Sequence, residues 1–224
     1  MVKVGILGNH GKTAAINVLA QLCKSSGMKV SVLKDMDLSM CLHSREVSFQ
    51  DYIHVLSKSN IEMLIVKITE EGIINNWFSD IDFDILIYTI GRSEEDYKCK
   101  ALYSGERRLF FTLSKDAVSI VNADDRSIFK LLKGNKTHLI TYGFNSKASI
   151  TASSIQEEEF NKRVQCCVQR TLTTFSGREL EPQEFSITLP LNNDQEVYSA
   201  LAAVTAAMIN DVLIPDKILI KKYF

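Results

Sequence analysis

The residues with the clearest chemistry form one short segment near the N-terminus, Gly8-Asn9-His10-Gly11-Lys12-Thr13. It follows an apolar run, Val2–Leu7, and opens a stretch of helical character from about Lys12 to Ser26. Glycines in a strand-to-helix turn let backbone N–H groups converge on an anion, and the helix dipole adds to the attraction. In such loops a lysine reaches the outer phosphates and a Ser or Thr hydroxyl ligates Mg²⁺. Those roles fall here to Lys12 and Thr13. The spacing is a variant, because the common loop has four residues between its glycines and only Asn9 and His10 separate Gly8 from Gly11. His10 is either a phosphate contact or a solvent-facing loop residue. The competing reading of the whole segment is an ordinary glycine turn before a helix.

Little else in the chain offers chemistry at a recognisable spacing. The five cysteines, Cys23, Cys41, Cys99, Cys166 and Cys167, contain no CxxC pair. Cys166 and Cys167 are adjacent and in a strand would face opposite sides. Reduced structural thiols in a cytoplasmic protein are the natural reading. His43, His54 and His138 have no partner at metal-ligand spacing. Asp124-Asp125 resembles an acid/base pair, but the pattern favours Asp125 as the cap of a helix starting at Arg126, with Asp124 on the surface. A net charge of −1 over 224 residues gives no reason to expect nucleic acid or a membrane as partner. The apolar start ends at Gly8, too early for a signal peptide or a membrane span.

The elements that must position the loop alternate along the first two-thirds of the chain. Strand-like runs at Val2–Leu7, Lys29–Leu33, Met63–Ile68, Ile85–Tyr88, Val118–Val121 and His138–Tyr142 are separated by helical stretches. Helices are expected near Ser48–Ser59, Tyr97–Leu113 and Arg126–Leu132. Near-continuous apolar strands between helices imply a parallel sheet of about six strands, covered on both faces. From Ser149 to Leu189 the pattern changes to period two, in Ile150-Ala152-Ser154, Val164-Cys166-Val168 and Phe185-Ile187-Leu189. These imply a small antiparallel sheet appended to the α/β core. An alanine-rich helix over Gln195–Ile209 follows.

The loop and the series of motifs behind it resemble the Mur ligases and the related folylpolyglutamate synthetases. The loop is similar to that family's Gly-Thr-Asn-Gly-Lys-Thr. Phe83-Asp84-Ile85-Leu86-Ile87-Tyr88-Thr89 resembles its FDxxxFTN strand, and Tyr103 through Phe110 its YxxAKxxLF helix. Val121-Asn122-Ala123-Asp124-Asp125 is similar to VxNADD, Thr141-Tyr142-Gly143-Phe144 to ITYGF, and Val197 through Ala203 to VxNxLAA. The resemblance implies a three-layer, P-loop-type mostly parallel sheet and the central, ATP-binding domain over residues 1–224. It implies that the substrate-binding N-terminal and C-terminal ligase domains are absent. The family's reaction is ATP-dependent amide ligation. ATP phosphorylates a carboxylate, and an amino acid's amine attacks the acyl phosphate.

The resemblance also assigns site residues. Gly8, Gly11, Lys12 and Thr13 match the family loop, with Asn9 and His10 between the glycines. Asn122 and Asp125 match a motif that lies near the adenine. Lys67 stands where the family has a magnesium-binding glutamate, and Glu94 falls near its histidine ligand. Glu106 aligns with a lysine that carries a carbamate, Asp194 with an arginine, and Ser199 with an asparagine. The exchanged charges at Lys67 and Glu106 lead to the expectation that both lie on one side of the pocket. ATP is the implied cofactor, with Mg²⁺ binding weakened. Three functions compete: a nucleotide-binding protein impaired in catalysis, a ligase module whose missing domains come from a protein partner, and a structural remnant.

Overall fold

A computed structural model of the chain describes residues 1–34, 49–79, 81–91, 100–190 and 195–220. The loop is flanked by β1 (Val2–Leu7) and α1 (Lys12–Ser25). Then come β2 (Val30–Leu33), α2 (Phe49–Ser57), β3 (Met63–Lys67), α3 (Glu70–Ile74), β4 (Ile85–Tyr88) and α4 (Lys100–Phe111). The core continues through β5 (Val118–Asn122), α5 (Arg126–Leu131) and β6 (His138–Gly143). Beyond it run β7 (Ile150–Glu157), β8 (Asn161–Val168), β9 (Leu172–Thr173), β10 (Glu179–Leu180) and β11 (Gln183–Pro190), then α6 (Gln195–Ile209) and β12 (Lys217–Leu219).

The parallel strands expected from the apolar runs lie in the order β6-β5-β4-β1-β3-β2. β5 is buried at every position, and β4 likewise, as strands covered on both faces must be. The period-two segments form β7, β8 and β11, which pair antiparallel. β7 joins β6 in parallel through Tyr142 and Gly143, so this appended part extends the same sheet to ten strands. A register shift between Ala152 and Ser154 marks a bulge in β7. β9 and β10 form a separate two-stranded ribbon.

Side-chain alternation divides the core. Ile6, Met63, Ile65 and Ile87 point to one face, where they pack against α1 and α6. Leu7, Leu64, Val66 and Leu86 point to the other, covered by α4 and α5. Helix α6 is buried along nearly its whole length, and its alanines let it lie close to α1. Local chemistry sets the shorter helices. Thr69 caps α3 by accepting from the Gly72 amide at 3.1 Å, and Asp125 caps α5 by accepting from the Ser127 amide at 2.9 Å. Among the described residues, no helix is long and apolar enough to cross a membrane.

β1 is the point where the topology switches. Its neighbours are β3 on one side and β4 on the other, and the connections leave in opposite directions. In open α/β sheets, ligands bind in the crevice beyond the strand ends at such a switch. The loop sits there.

Candidate functional site

The loop's shape depends on its two glycines. Gly8 has φ +123° and Gly11 φ +83°, values that side-chain-bearing residues rarely adopt. A Cβ on Gly8 would lie 2.4 Å from Thr89 Oγ1, and one on Gly11 would lie 2.5 Å from Ser199 Oγ. Gly11 is the N-cap of α1 and brings no side-chain cap to the first turn. The amides there are the groups that an anion satisfies.

The carbonyls of residues 8 to 11 each have a side-chain partner. Lys12 Nζ donates to the Gly8 carbonyl and lies 3.5 Å from that of Asn9. The buried Thr89 hydroxyl stands 2.6 Å from the His10 carbonyl and 3.0 Å from that of Leu7. The Ser199 hydroxyl lies 3.2 Å from the Gly11 carbonyl, which also accepts from the Ala15 amide at 2.9 Å. The Asn9 amide donates to the Ile90 carbonyl at 2.9 Å. In a planar trans peptide the N–H points away from the preceding C=O. Tying the carbonyls of His10 and Gly11 to the protein therefore turns the amides of Gly11 and Lys12 outward.

They open on a cleft of about 370 Å³ lined by Asn9, His10, Gly11, Lys12, Thr13 and Ala14, with Lys67 from β3 and Gln195, Glu196 and Ser199 from α6. Loop sequence pointed to the first group. Thr89 appeared only as the last residue of the FDxxxFTN-like run, and Gln195 and Glu196 carried no signal, since they meet the loop only through the fold. Ser199 stood out solely as an exchanged residue within the VxNxLAA resemblance.

The remaining predicted residues are distributed differently. Lys67 pairs in register with Ile6, and alternation along β3 puts it on the α1 face with Met63 and Ile65. Glu106 is fully buried on α4, whose Leu102, Leu109 and Phe110 belong to the opposite face, and it does not line the cleft. The expectation that Lys67 and Glu106 share one side of the pocket is therefore corrected: the sheet separates the elements that carry them. Asn122 and Asp125 stand at the end of β5, at the same edge of the sheet but outside this cleft. Asn122 accepts from the Asp124 amide at 2.9 Å. Asp125 accepts from the Ser127 amide and hydroxyl through one oxygen and from the Gly91 amide at 2.8 Å through the other. Asp124, though exposed, accepts from the amides of Phe144 and Asn145 and from the Tyr198 hydroxyl. Glu94 and Asp194 lie outside the described residues, as do Cys41, Cys99 and His43. Cys23 and Cys166 are buried, and burial pushes both thiols up to about 12. That suits structural thiols.

Residues 6–207 match the family model of the Mur ligase middle domain. The chain belongs to this family. It is 20% identical over 221 residues to the UDP-N-acetylmuramoyl-L-alanyl-D-glutamate–2,6-diaminopimelate ligase of Listeria innocua serovar 6a. That alignment covers 91% of this chain and 43% of the relative. The middle domain thus spans less than half the length of the curated relatives it matches. A solved structure of a ligase of that name superposes with a TM-score of 0.71 at 17% identity, covering 93% of this chain and 43% of the other. The MurF ligase from Thermotoga maritima, solved in complex with ADP, superposes with a TM-score of 0.67 at 13% identity, covering 96% and 46%. At these identities the likeness establishes the fold, a mostly parallel sheet flanked by helices with an antiparallel extension. The middle domain belongs to an ATP-binding ligase family.

The magnesium ion that the family resemblance implies would sit on bound phosphates, with the Thr13 hydroxyl and the Glu196 carboxylate the oxygen groups at hand in the cleft. Among the described residues lining the cleft, side chains with an oxygen are Asn9, Thr13, Gln195, Glu196 and Ser199. Beside them stands the Lys67 ammonium, which has no lone pair for a metal. No group of three or more His, Cys, Asp or Glu residues that could hold a metal occurs among the described residues.

Proposed function

We propose that this Mur ligase middle domain is a cytoplasmic nucleotide-binding protein that holds the phosphates of ATP or ADP on the loop Gly8–Thr13. In this reading it does not turn over at ligase rates alone, and it acts through the nucleotide or a protein partner. The observation that carries the reading is the loop itself: two left-handed glycines, carbonyls tied back by Lys12, Thr89 and Ser199, and amides opening on a cleft at the topological switch. The ADP bound to a relative of the same fold supports the choice of ligand. The base then extends along the sheet edge toward Asn122 and Asp125. Impaired turnover is supported by the resemblance: phosphoryl transfer depends on positive charge positioned around a metal-bridged nucleotide, and Lys67 stands where the family has a magnesium-binding glutamate.

A second reading has one specific observation in its favour. The chain covers a single domain of relatives that are 2,6-diaminopimelate ligases. A ligase module working with a protein partner would then act on peptidoglycan precursors.

Calorimetric titration with ADP tests the first reading. Wild type should bind, and Lys12→Ala should weaken binding at least several-fold, because a charge-assisted hydrogen bond contributes about 1.5–3 kcal/mol. Unchanged affinity in that variant refutes the loop as the site. Robust magnesium-dependent ADP release by the isolated chain refutes impaired turnover and favours the ligase module.

A further inference from the structure

We infer that Asp125, which stands outside the cleft, is a positioning residue for the phosphate loop, acting through Gly91 and Ile90 on the backbone of Asn9 and His10. The inference rests on the reading of the loop as a phosphate site and adds to it what holds that loop in place.

The chain leaving β4 runs behind the loop and is bonded to it at successive residues. The Thr89 amide donates to the Leu7 carbonyl at 2.9 Å, and the Thr89 hydroxyl stands 2.6 Å from the His10 carbonyl. The Ile90 carbonyl accepts from the Asn9 amide at 2.9 Å, and Ile90 forms an antiparallel bridge with His10. This segment is itself tied at both ends. The buried Tyr142 hydroxyl donates to the Tyr88 carbonyl at 3.0 Å from β6, two strands away. At the other end the Gly91 amide donates to Asp125 Oδ2 at 2.8 Å, which fastens it to the N-cap of α5.

The consequence falls on the Gly8–Asn9 peptide. In a trans peptide the N–H and the preceding C=O point in opposite directions. With the Asn9 amide on Ile90, the Gly8 carbonyl faces the other way, where Lys12 Nζ donates to it. The plane of this peptide, and the seat of the Lys12 amine with it, therefore depends on where Ile90 stands. Ile90 is held in turn by its neighbour Gly91. The Asp125 carboxylate is already engaged by the protein: one oxygen accepts from the Ser127 amide at 2.9 Å and hydroxyl at 2.7 Å, the other from Gly91. A carboxylate offers about four lone-pair sites, so most of its capacity goes to fixing backbone and α5. Gly91 is fitted closely to it. A Cβ there would lie 1.9 Å from Asp125 Oδ2 and 2.7 Å from Ser127 Oγ, so a side chain at this position forces the carboxylate off the amide.

The test is calorimetric titration of the full chain with ADP and with tripolyphosphate, which has no base or sugar, at a temperature where circular dichroism shows each variant folded. Asp125→Ser keeps an N-cap oxygen for the Ser127 amide but is one bond too short to hold Gly91. It should lose about fivefold in affinity for ADP and the same factor for tripolyphosphate, as expected for one hydrogen bond. Gly91→Ala should do the same from the other side. The double variant should bind no more weakly than the weaker single one, because both changes remove one shared contact. If Gly91→Ala does not fold, Asp125→Ser carries the test. A loss for ADP alone, with tripolyphosphate bound as by wild type, would make Asp125 a contact of the base and overturn the inference. Wild-type affinity for both ligands in Asp125→Ser would leave it a helix cap only, which also overturns it. Lys12→Ala separates the two readings: if it loses affinity while Asp125→Ser does not, the loop remains the phosphate site and only the role of Asp125 falls. Wild type that does not bind tripolyphosphate, or Lys12→Ala that binds it as tightly as wild type, brings down the phosphate site and the inference with it.

Discussion

Replacing Thr89 with valine isolates one hydroxyl that the fold places behind the loop. The side chain is 1% exposed, and its oxygen stands 2.6 Å from the His10 carbonyl. Valine keeps the branched shape and the packing but leaves that carbonyl without its donor. The lost hydrogen bond together with the unsatisfied acceptor costs about 1–3 kcal/mol. For a chain of this length that corresponds to a fall in melting temperature of roughly 2–12 °C. Freed of its tie, the His10 peptide also samples orientations that turn the Gly11 amide away from the cleft. Reordering it on binding should lower ADP affinity about fivefold, the equivalent of roughly 1 kcal/mol. Thr89→Ser keeps the hydroxyl and should recover most of the affinity, while the methyl it loses lowers stability independently. That separation makes the assay decisive: thermal melts by circular dichroism report stability, and calorimetry with ADP reports the loop. A Thr89→Val protein with wild-type affinity and melting temperature would refute the argument that side-chain donors set the loop's peptide planes.

Two further outcomes follow from side chains that tie distant segments together. Asp125→Ala removes both the cap of α5 and the acceptor for the Gly91 amide, and a denaturation curve should show a loss of about 1–2 kcal/mol, as for N-cap removal. A loss within error would mean that neither bond contributes. Asp211 follows Asn210 at the end of α6 and accepts from the amide and hydroxyl of Ser176 and from Arg178 at 3.3 Å. Burial pushes its carboxyl up, but hydrogen bonds from Thr174, Ser176 and Arg178 outweigh that and hold it below the usual carboxylate value. A depressed folded-state value means that its contribution is present above the unfolded value and is lost as pH falls through the folded one. Asp211→Asn, which tolerates the residue's φ of +61°, should lower the melting temperature at neutral pH. The difference from wild type should shrink below about pH 4, near the unfolded carboxylate value, and a constant difference down to pH 2 would refute the linkage.

Local chemistry made much of this protein legible before any coordinates. The strand-loop-helix unit from Val2 to Ser25 is written in an apolar run, two glycines and a helical stretch, all contiguous in the chain. The change of pattern near Ile150 likewise marks where the parallel series ends and antiparallel pairing begins, with β8 alternating in burial and β7 interrupted by its bulge. Asp125 as a cap needs only the two residues that follow it. Tertiary structure decided what depends on contacts between distant segments. Thr89 meets His10 across 79 positions and Ser199 meets Gly11 across 188, so no spacing rule could assign either to the loop. The separation of Lys67 from Glu106 was likewise out of reach of motif alignment, which places both near one site. A strand sends successive side chains to opposite faces, and which face a helix covers is settled only when the sheet assembles. Lys67 then falls on the side of α1 and the phosphate cleft, and Glu106 is carried by the helix on the other side.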